Sequence, residues 1–190
     1  MKKAAFLDRD GVLNRKAPEG QYVTRWEEME FLPGAREAVR SLNQAGYIVV
    51  VVSNQRCVAK GLITASELDS MHARMRHEFE AVGARIDAIY YCPHDFQPAC
   101  SCRKPQPGML REAARTHELD LSASWMIGDS DHDVVAGKSA GCGTVRLVED
   151  GKSPVGGADM VASSLLDAVH KVLELQSDLS ATGARVPLSL

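Results

Sequence analysis

No apolar run in this 190-residue chain is long enough to cross a membrane, which takes about 20 residues. Only a few apolar residues separate Lys2 and Lys3 from Asp8, too few for a secretory leader. Both absences predict a chain that stays in the cytoplasm and has no membrane partner. An excess of one charge is missing as well. The 22 Lys and Arg against 25 Asp and Glu leave a net charge of −3, which attracts neither nucleic acid nor an anionic bilayer. Local basic groups can still hold a small anion. There is no internal repeat. No large insertion stands between Asn14 and Pro33 or between Gln55 and Thr64, so no large cap domain is expected over a site there. No feature demands an oligomer, and a monomer is expected. Cysteine is sparse and odd in number, five in all. Three of the five, Cys92, Cys100 and Cys102, crowd into one stretch with His94, and in a cytoplasmic chain that clustering points to metal more than to disulfides. Cys57 and Cys142 stand alone as small side chains.

What is present suits one domain with a proper core, since 45% of residues are hydrophobic. The run before Asp8 reads as a short buried strand ending in acidic groups. Residues 33–45 read as a helix opened by Pro33 and Gly34 and closed by Gly46. Residues 47–55 are a β-branched, fully apolar strand of the kind buried on both faces. Thr64, with Glu67 three residues on, predicts a capping box and a helix to about 82. Strands are expected at 86–91, 124–127, 143–148 and near Met160, with helices at 107–117, 131–140 and 163–175. This alternation is the mark of an α/β, Rossmann-like, doubly wound parallel sheet with helices on both faces. The domain is expected over 1–175, and the unpatterned stretch 176–190 reads as a loosely held tail.

In such sheets, ligands bind beyond the carboxyl ends of the strands. Strand one brings Asp8 and Asp10 to that edge. Strand two brings Ser53, Asn54 and Gln55, strand four Asp129 and Asp133, and the loop after strand three Arg103 and Lys104. Carboxylates that converge in one crevice repel each other, and a hard cation such as Mg²⁺ relieves this. A lysine, a hydroxyl and backbone N–H groups can hold a phosphoryl group. Carboxylate nucleophile, metal and lysine together point to phosphoryl transfer through an aspartyl-phosphate, with Asp8 as the carboxylate. Taken singly, an Asp in any of these places would more often be a helix cap or a solvated loop charge, and Asp131 and Asp133 could simply favour a helix dipole. Four separated clusters in the right order argue against coincidence.

Those residues carry a family resemblance. DRDGVLN at 8–14, SNQ at 53–55, RKPQPGM at 103–109 and GDSDHD at 128–133 resemble, in order and spacing, the four motifs of haloacid-dehalogenase-like phosphatases over about residues 3–175. The CPH…CxC loop running into RKP is similar to the subgroup of the D-glycero-D-manno-heptose 1,7-bisphosphate 7-phosphatases and the histidinol-phosphate phosphatases. The resemblance implies roles by position. Asp8 would be the nucleophile and Asp10 the acid for the leaving oxygen, then the base for water. Mg²⁺ would rest on the Asp8 carboxylate, the Asp10 carbonyl and Asp129. Ser53 and Lys104 would steady the phosphoryl group, and Asn54, Gln55 and Arg56 would line its pocket. Arg103 would meet the substrate through another anionic group, with Ser130 and the segment Glu19, Gly20, Gln21 and Tyr22 close by. Val12 departs from the pattern by losing one hydroxyl. Arg56 and Cys57 stand where many relatives have Ser-Gly. Arg56 either grips a second phosphate or is a solvated loop charge, and Cys57 reads as a filler.

Cys92, His94, Cys100 and Cys102 form C-x-H-x5-C-x-C. Three thiolates and an imidazole make a closed tetrahedral set for Zn²⁺, with no position left for water, so the zinc reads as structural. The alternative is a reduced cluster without metal, or a disulfide. The loop 92–102 ends at Arg103 and Lys104, so a metal there would hold both cations in place. The remaining histidines, His72 among them, read as ordinary helix or surface residues, and His132 adjoins the fourth motif. Short loops around the site favour a small phosphorylated metabolite. The resemblance puts heptose 1,7-bisphosphate first, for lipopolysaccharide or capsule heptose, and histidinol phosphate or another small phosphomonoester second. A different class of function is an inactive zinc-stapled binding module. Such modules usually lose the nucleophile or a metal carboxylate, and this chain keeps both.

Overall fold

The apolar run at the start of the chain becomes β1 (Ala4–Leu7), buried at every residue. It is the middle of a sheet, with β2 (Ile48–Asn54) on one side and β4 (Trp125–Gly128) on the other, both parallel to it. Ala5 lies opposite Val49 and opposite Trp125. β3 (Ala88–Cys92) extends the sheet beyond β2, and β5 (Gly143–Leu147) and β6 (Met160–Ala162) extend it beyond β4. The order is β3-β2-β1-β4-β5-β6, parallel throughout. The computed structural model describes residues 1–148 and 157–182.

Successive strand side chains point to opposite faces, which builds two cores. Ala5, Leu7, Val49, Val51 and Ile127 face one side, beneath α1 (Ala35–Gln44) and α5 (Leu165–Thr182). Ala4, Phe6, Val50, Val52 and Met126 face the other, against α3 (Gly108–His117) and α4 (Asp131–Ala140). The expected doubly wound architecture is therefore present. α2 (Ala65–Glu80) sends Met75 and Phe79 into the first core. Its Leu68 and Met71 join a third cluster with Val23, Met29, Cys57 and Ile63, which ties α2 to the connecting segments 15–32 and 55–64. Those segments carry no domain of their own.

Local chemistry sets where the helices begin. The Thr64 capping box forms as expected, with the Glu67 N–H donating to Thr64 Oγ1 at 3.2 Å and the Thr64 N–H donating to Glu67 Oε2 at 2.8 Å. Ser130 and Asp133 make a second box at the start of α4. Several boundaries differ from expectation, among them those of β3 and α5. β3 starts at Ala88, because pairing with β2 begins at Val50, and it runs to Cys92, opposite Asn54. Helix α5 continues past the expected end at Leu175 to Thr182. Of the stretch expected to be a tail, residues 183–190 lie outside the described residues. Among the described residues no helix is long and apolar enough to cross a membrane.

Candidate active site

The strand order reverses between β1 and β4, and in a sheet of this kind a crevice opens at that point. Asp8 follows the tip of β1 and Asp129 the tip of β4. The crevice between them has a volume of about 320 Å³ and is lined by Asp8, Asp10, Ser53, Asn54, Gln55 and Lys104. Asp129 and Ser130 complete this floor, while Glu19, Gly20, Gln21 and Tyr22 form a wall. These residues, expected to act together from positions far apart in sequence, are brought together. Arg56 and Arg103 are not among the lining residues.

Lys104 is the hub. Its side chain is 2% exposed, with Nζ 2.9 Å from Asp8 Oδ1, 2.6 Å from Asp133 Oδ1 and donating to the Val52 carbonyl at 2.8 Å. Burial would lower its pKa, but Asp133 and Asp8 more than offset that and hold it above the ordinary lysine value. Its backbone is pinned too. The Asn54 amide donates to the Lys104 carbonyl and accepts from the Lys104 N–H, both at 3.0 Å. Asp133 holds Lys104 with one oxygen and caps α4 with the other. The helix-cap reading and the site reading of Asp133 thus describe the same residue.

The two leading carboxylates differ in environment. Burial pushes the Asp8 carboxyl up to about 7; Lys104 opposes this, while Asp133 and then Asp129 add to it. Burial acts on Asp10 in the same sense, but the Arg9 guanidinium and the amides of Asn14 and Gln55 outweigh it and hold Asp10 below the usual value. Gln55 Nε2 donates to both Ser53 Oγ, at 2.6 Å, and Asp10 Oδ2, at 3.0 Å. Gly11 turns the chain out of the strand at φ +89°, and any side chain there would run into the Asp129 carboxylate.

Asp8, Asp129 and Asp133 can each offer an oxygen to one cation, their atoms lying within 4.8 Å of one another. Asp129 Oδ1 is buried without a hydrogen-bond partner. An orphaned carboxylate oxygen beside a second carboxylate, itself raised by burial, fits a hard divalent ion.

Sequence reasoning passed over several contributors. Lys16, in a loop without periodicity, places Nζ 2.8 Å from Asp129 Oδ2. Asn14 donates to Asp10 Oδ1 at 2.9 Å. Arg9 is completely buried and grips Asp10. His72, expected as an ordinary helix or surface residue, is instead buried against Arg9, 3.1 Å from its Nη1. A signal existed for His72, since Leu68, Met71, Met75 and Phe79 mark one buried stripe of α2 and position 72 falls on it.

The Cys/His loop closes on itself. His94 Nδ1 lies 3.2 Å from Cys102 Sγ, which is 3.2 Å from Cys92 Sγ and 3.5 Å from Cys100 Sγ. All four ligand atoms lie within 4.8 Å of one another, and none of the cysteines is in a disulfide. A tetrahedral ion bonded to sulfur at about 2.3 Å would hold its ligands about 3.8 Å apart, so the cluster is of a size to enclose one. Burial and then the neighbouring Cys92 and Cys100 push the Cys102 thiol up to about 12, a crowding that a cation would relieve. The loop also holds both arginines. Phe96 packs against both, with the Arg56 Cζ 4.2 Å and the Arg103 Cζ 4.5 Å from its ring centre. Arg56 Nε is 2.6 Å from Asp95 Oδ1, and Arg103 Nη1 donates to the His94 carbonyl at 3.2 Å. Arg56 also meets Tyr22 of the crevice wall.

A family model described as HAD-hydrolase-like matches residues 101–168. The chain is 42% identical over 145 residues to the D-glycero-beta-D-manno-heptose-1,7-bisphosphate 7-phosphatase of Rhodopseudomonas palustris, covering 73% of this chain and 79% of that one. It is 36% identical over 185 residues to the enzyme of the same name from Escherichia coli, covering 91% and 95%. Among solved structures it is similar to a D,D-heptose 1,7-bisphosphate phosphatase from B. bronchiseptica complexed with magnesium and phosphate. The TM-score there is 0.81 at 34% identity, over 91% of this chain and 99% of that one.

Proposed function

The chain belongs to the D-glycero-beta-D-manno-heptose-1,7-bisphosphate 7-phosphatase family of HAD-like hydrolases, and from that premise we propose that it removes the 7-phosphate of heptose 1,7-bisphosphate through an aspartyl-phosphate on Asp8. The product is heptose 1-phosphate, for the heptose of lipopolysaccharide or capsule. The chain acts in the cytoplasm as a monomer. The observation that carries the mechanism is Asp8 at the switch point of the sheet, 2.9 Å from a buried Lys104 ammonium.

Asp8 attacks phosphorus as the bond to the C7 oxygen breaks, and that oxygen takes a proton from Asp10. Asp10 then removes a proton from water, which attacks the phosphorus of the acyl phosphate and frees Asp8. Asp10 is held below its usual pKa by Arg9, Asn14 and Gln55; a phosphate dianion arriving beside it raises its proton affinity. Lys104 and Ser53 steady the phosphoryl oxygens. Asn54, Gln55, Ser130 and residues Glu19 to Tyr22 line the pocket. Arg103 and Arg56, both packed against Phe96, hold the second phosphate at its rim. Mg²⁺, held by Asp8, the Asp10 carbonyl and Asp129, supplies charge neutralisation for carboxylates and phosphoryl oxygens when bound. Cys92, His94, Cys100 and Cys102 would hold Zn²⁺, which would fix the loop that Arg56 and Arg103 pack against.

Phosphate release from heptose 1,7-bisphosphate and from histidinol phosphate, each with Mg²⁺, tests the reading. Faster turnover of the bisphosphate is expected; faster turnover of histidinol phosphate overturns the substrate assignment. Asp8→Asn should abolish both activities with the circular dichroism spectrum retained, and an active Asp8→Asn chain overturns the mechanism.

A further inference from the structure

Arg9 is the largest completely buried side chain among the described residues, yet the chemistry above gives it no direct part. A guanidinium stays charged in a protein, so burying one demands partners for its donors. Nε reaches Asp10 Oδ1 at 3.2 Å, and Nη2 reaches Oδ1 at 3.0 Å and Oδ2 at 2.9 Å, a fork on one carboxylate. The remaining terminal nitrogen, Nη1, faces His72 Nε2 at 3.1 Å. Because Arg9 can only donate, His72 must accept there, which makes it neutral and places its proton on Nδ1.

The ring of His72 is held from two elements. It comes from α2 and packs edge-on against Tyr91 of β3, with centroids 5.5 Å apart. Tyr91 in turn donates to Asp69 of α2 at 2.9 Å. The acceptor that orients Arg9 is thus fixed by the scaffold, while Asp10, 25% exposed at its side chain, looks into the crevice.

We propose that His72 is a positioning residue for the phosphatase reaction: by accepting from Arg9 Nη1 it turns the guanidinium so that its other edge forms a fork on Asp10, and so sets where Asp10 meets the leaving oxygen and the attacking water. This inference rests on the reading of Asp10 as acid and base. A purely structural His72 would fill space and affect all steps through stability. A positioning His72 acts on kcat, through Arg9 alone, and most where a proton must be delivered.

The test uses the full-length chain with Mg²⁺ and two substrates, heptose 1,7-bisphosphate and p-nitrophenyl phosphate, whose leaving group departs without a proton. Turnover by the unaltered chain checks the reading of the site; the variants check only the pair. His72→Leu is expected to lower kcat on the bisphosphate about 10- to 100-fold with KM within about 3-fold. Release of the first equivalent of p-nitrophenolate, followed in a single turnover, should keep its rate. His72→Gln, whose amide oxygen can accept from Arg9, should recover most of the loss. Arg9→Lys keeps the charge without the fork and should show the same kcat loss, and adding His72→Leu to it should cost nothing further. Equal losses in His72→Leu and His72→Gln, or additive losses in the double variant, overturn the proposal. If His72→Leu does not fold, the decision passes to His72→Gln on the Arg9→Lys background, where any further loss of kcat overturns it.

Discussion

Lys104 shows how one side chain can serve structure and chemistry together. With 2% of its side chain exposed, it stands between Asp8, Asp133 and the Val52 carbonyl. Removing the ammonium would strand buried carboxylates, and breaking such a pair from one side costs about 3–5 kcal/mol. Lys104→Met is therefore expected to lose about that much stability in urea unfolding, as well as turnover. Unchanged stability would mean that water reaches Asp133, whose side chain shows no exposure here. Arg9 and His72 illustrate the opposite case. Their residue types were visible in the sequence, but their partnership across 63 positions was not.

At the scale of elements, β3 couples the sheet to the loop that follows. Its last residue, Cys92, is paired opposite Asn54 in the sheet and is also the first ligand of the Cys/His cluster. The loop then presents the His94 carbonyl to Arg103, Asp95 to Arg56, and Phe96 to both. A loop this short has little core of its own, and a bound ion would replace one. Metal analysis of the purified chain is expected to find one zinc per chain, and Cys100→Ser should lose it. The same variant should raise KM for heptose bisphosphate more than for p-nitrophenyl phosphate, because only the first carries a second phosphate for the arginine pair. An equal change in both would detach the loop from substrate selection.

For the whole molecule, the reversal of strand order at β1 and β4 decides where the chemistry sits. The large exposed apolar residues among those described, Met1, Leu62, Val82, Phe96 and Val135, come from separate segments of the chain. Light scattering is expected to return the mass of one chain, 20.6 kDa; a dimer mass would contradict the expected monomer. Much of this architecture was legible in the sequence. The alternation of strands and helices, the Thr64 capping box and the acidic strand ends are local signals, encoded by hydrophobic period and by side chains that bond within a few residues. The extent of β3 was not legible, because pairing with β2 selects its ends. Nor was the end of α5, which helical period alone placed at Leu175. By itself, the sequence determined the class of fold and most of the groups that stand at the crevice, since these follow from short-range pattern and strand order. Only the tertiary structure decided that Lys16 reaches Asp129, that Asp133 serves Lys104 and a helix cap at once, and that His72 lies on Arg9. Contacts between distant segments depend on how whole elements pack, and no local rule of sequence contains that distance.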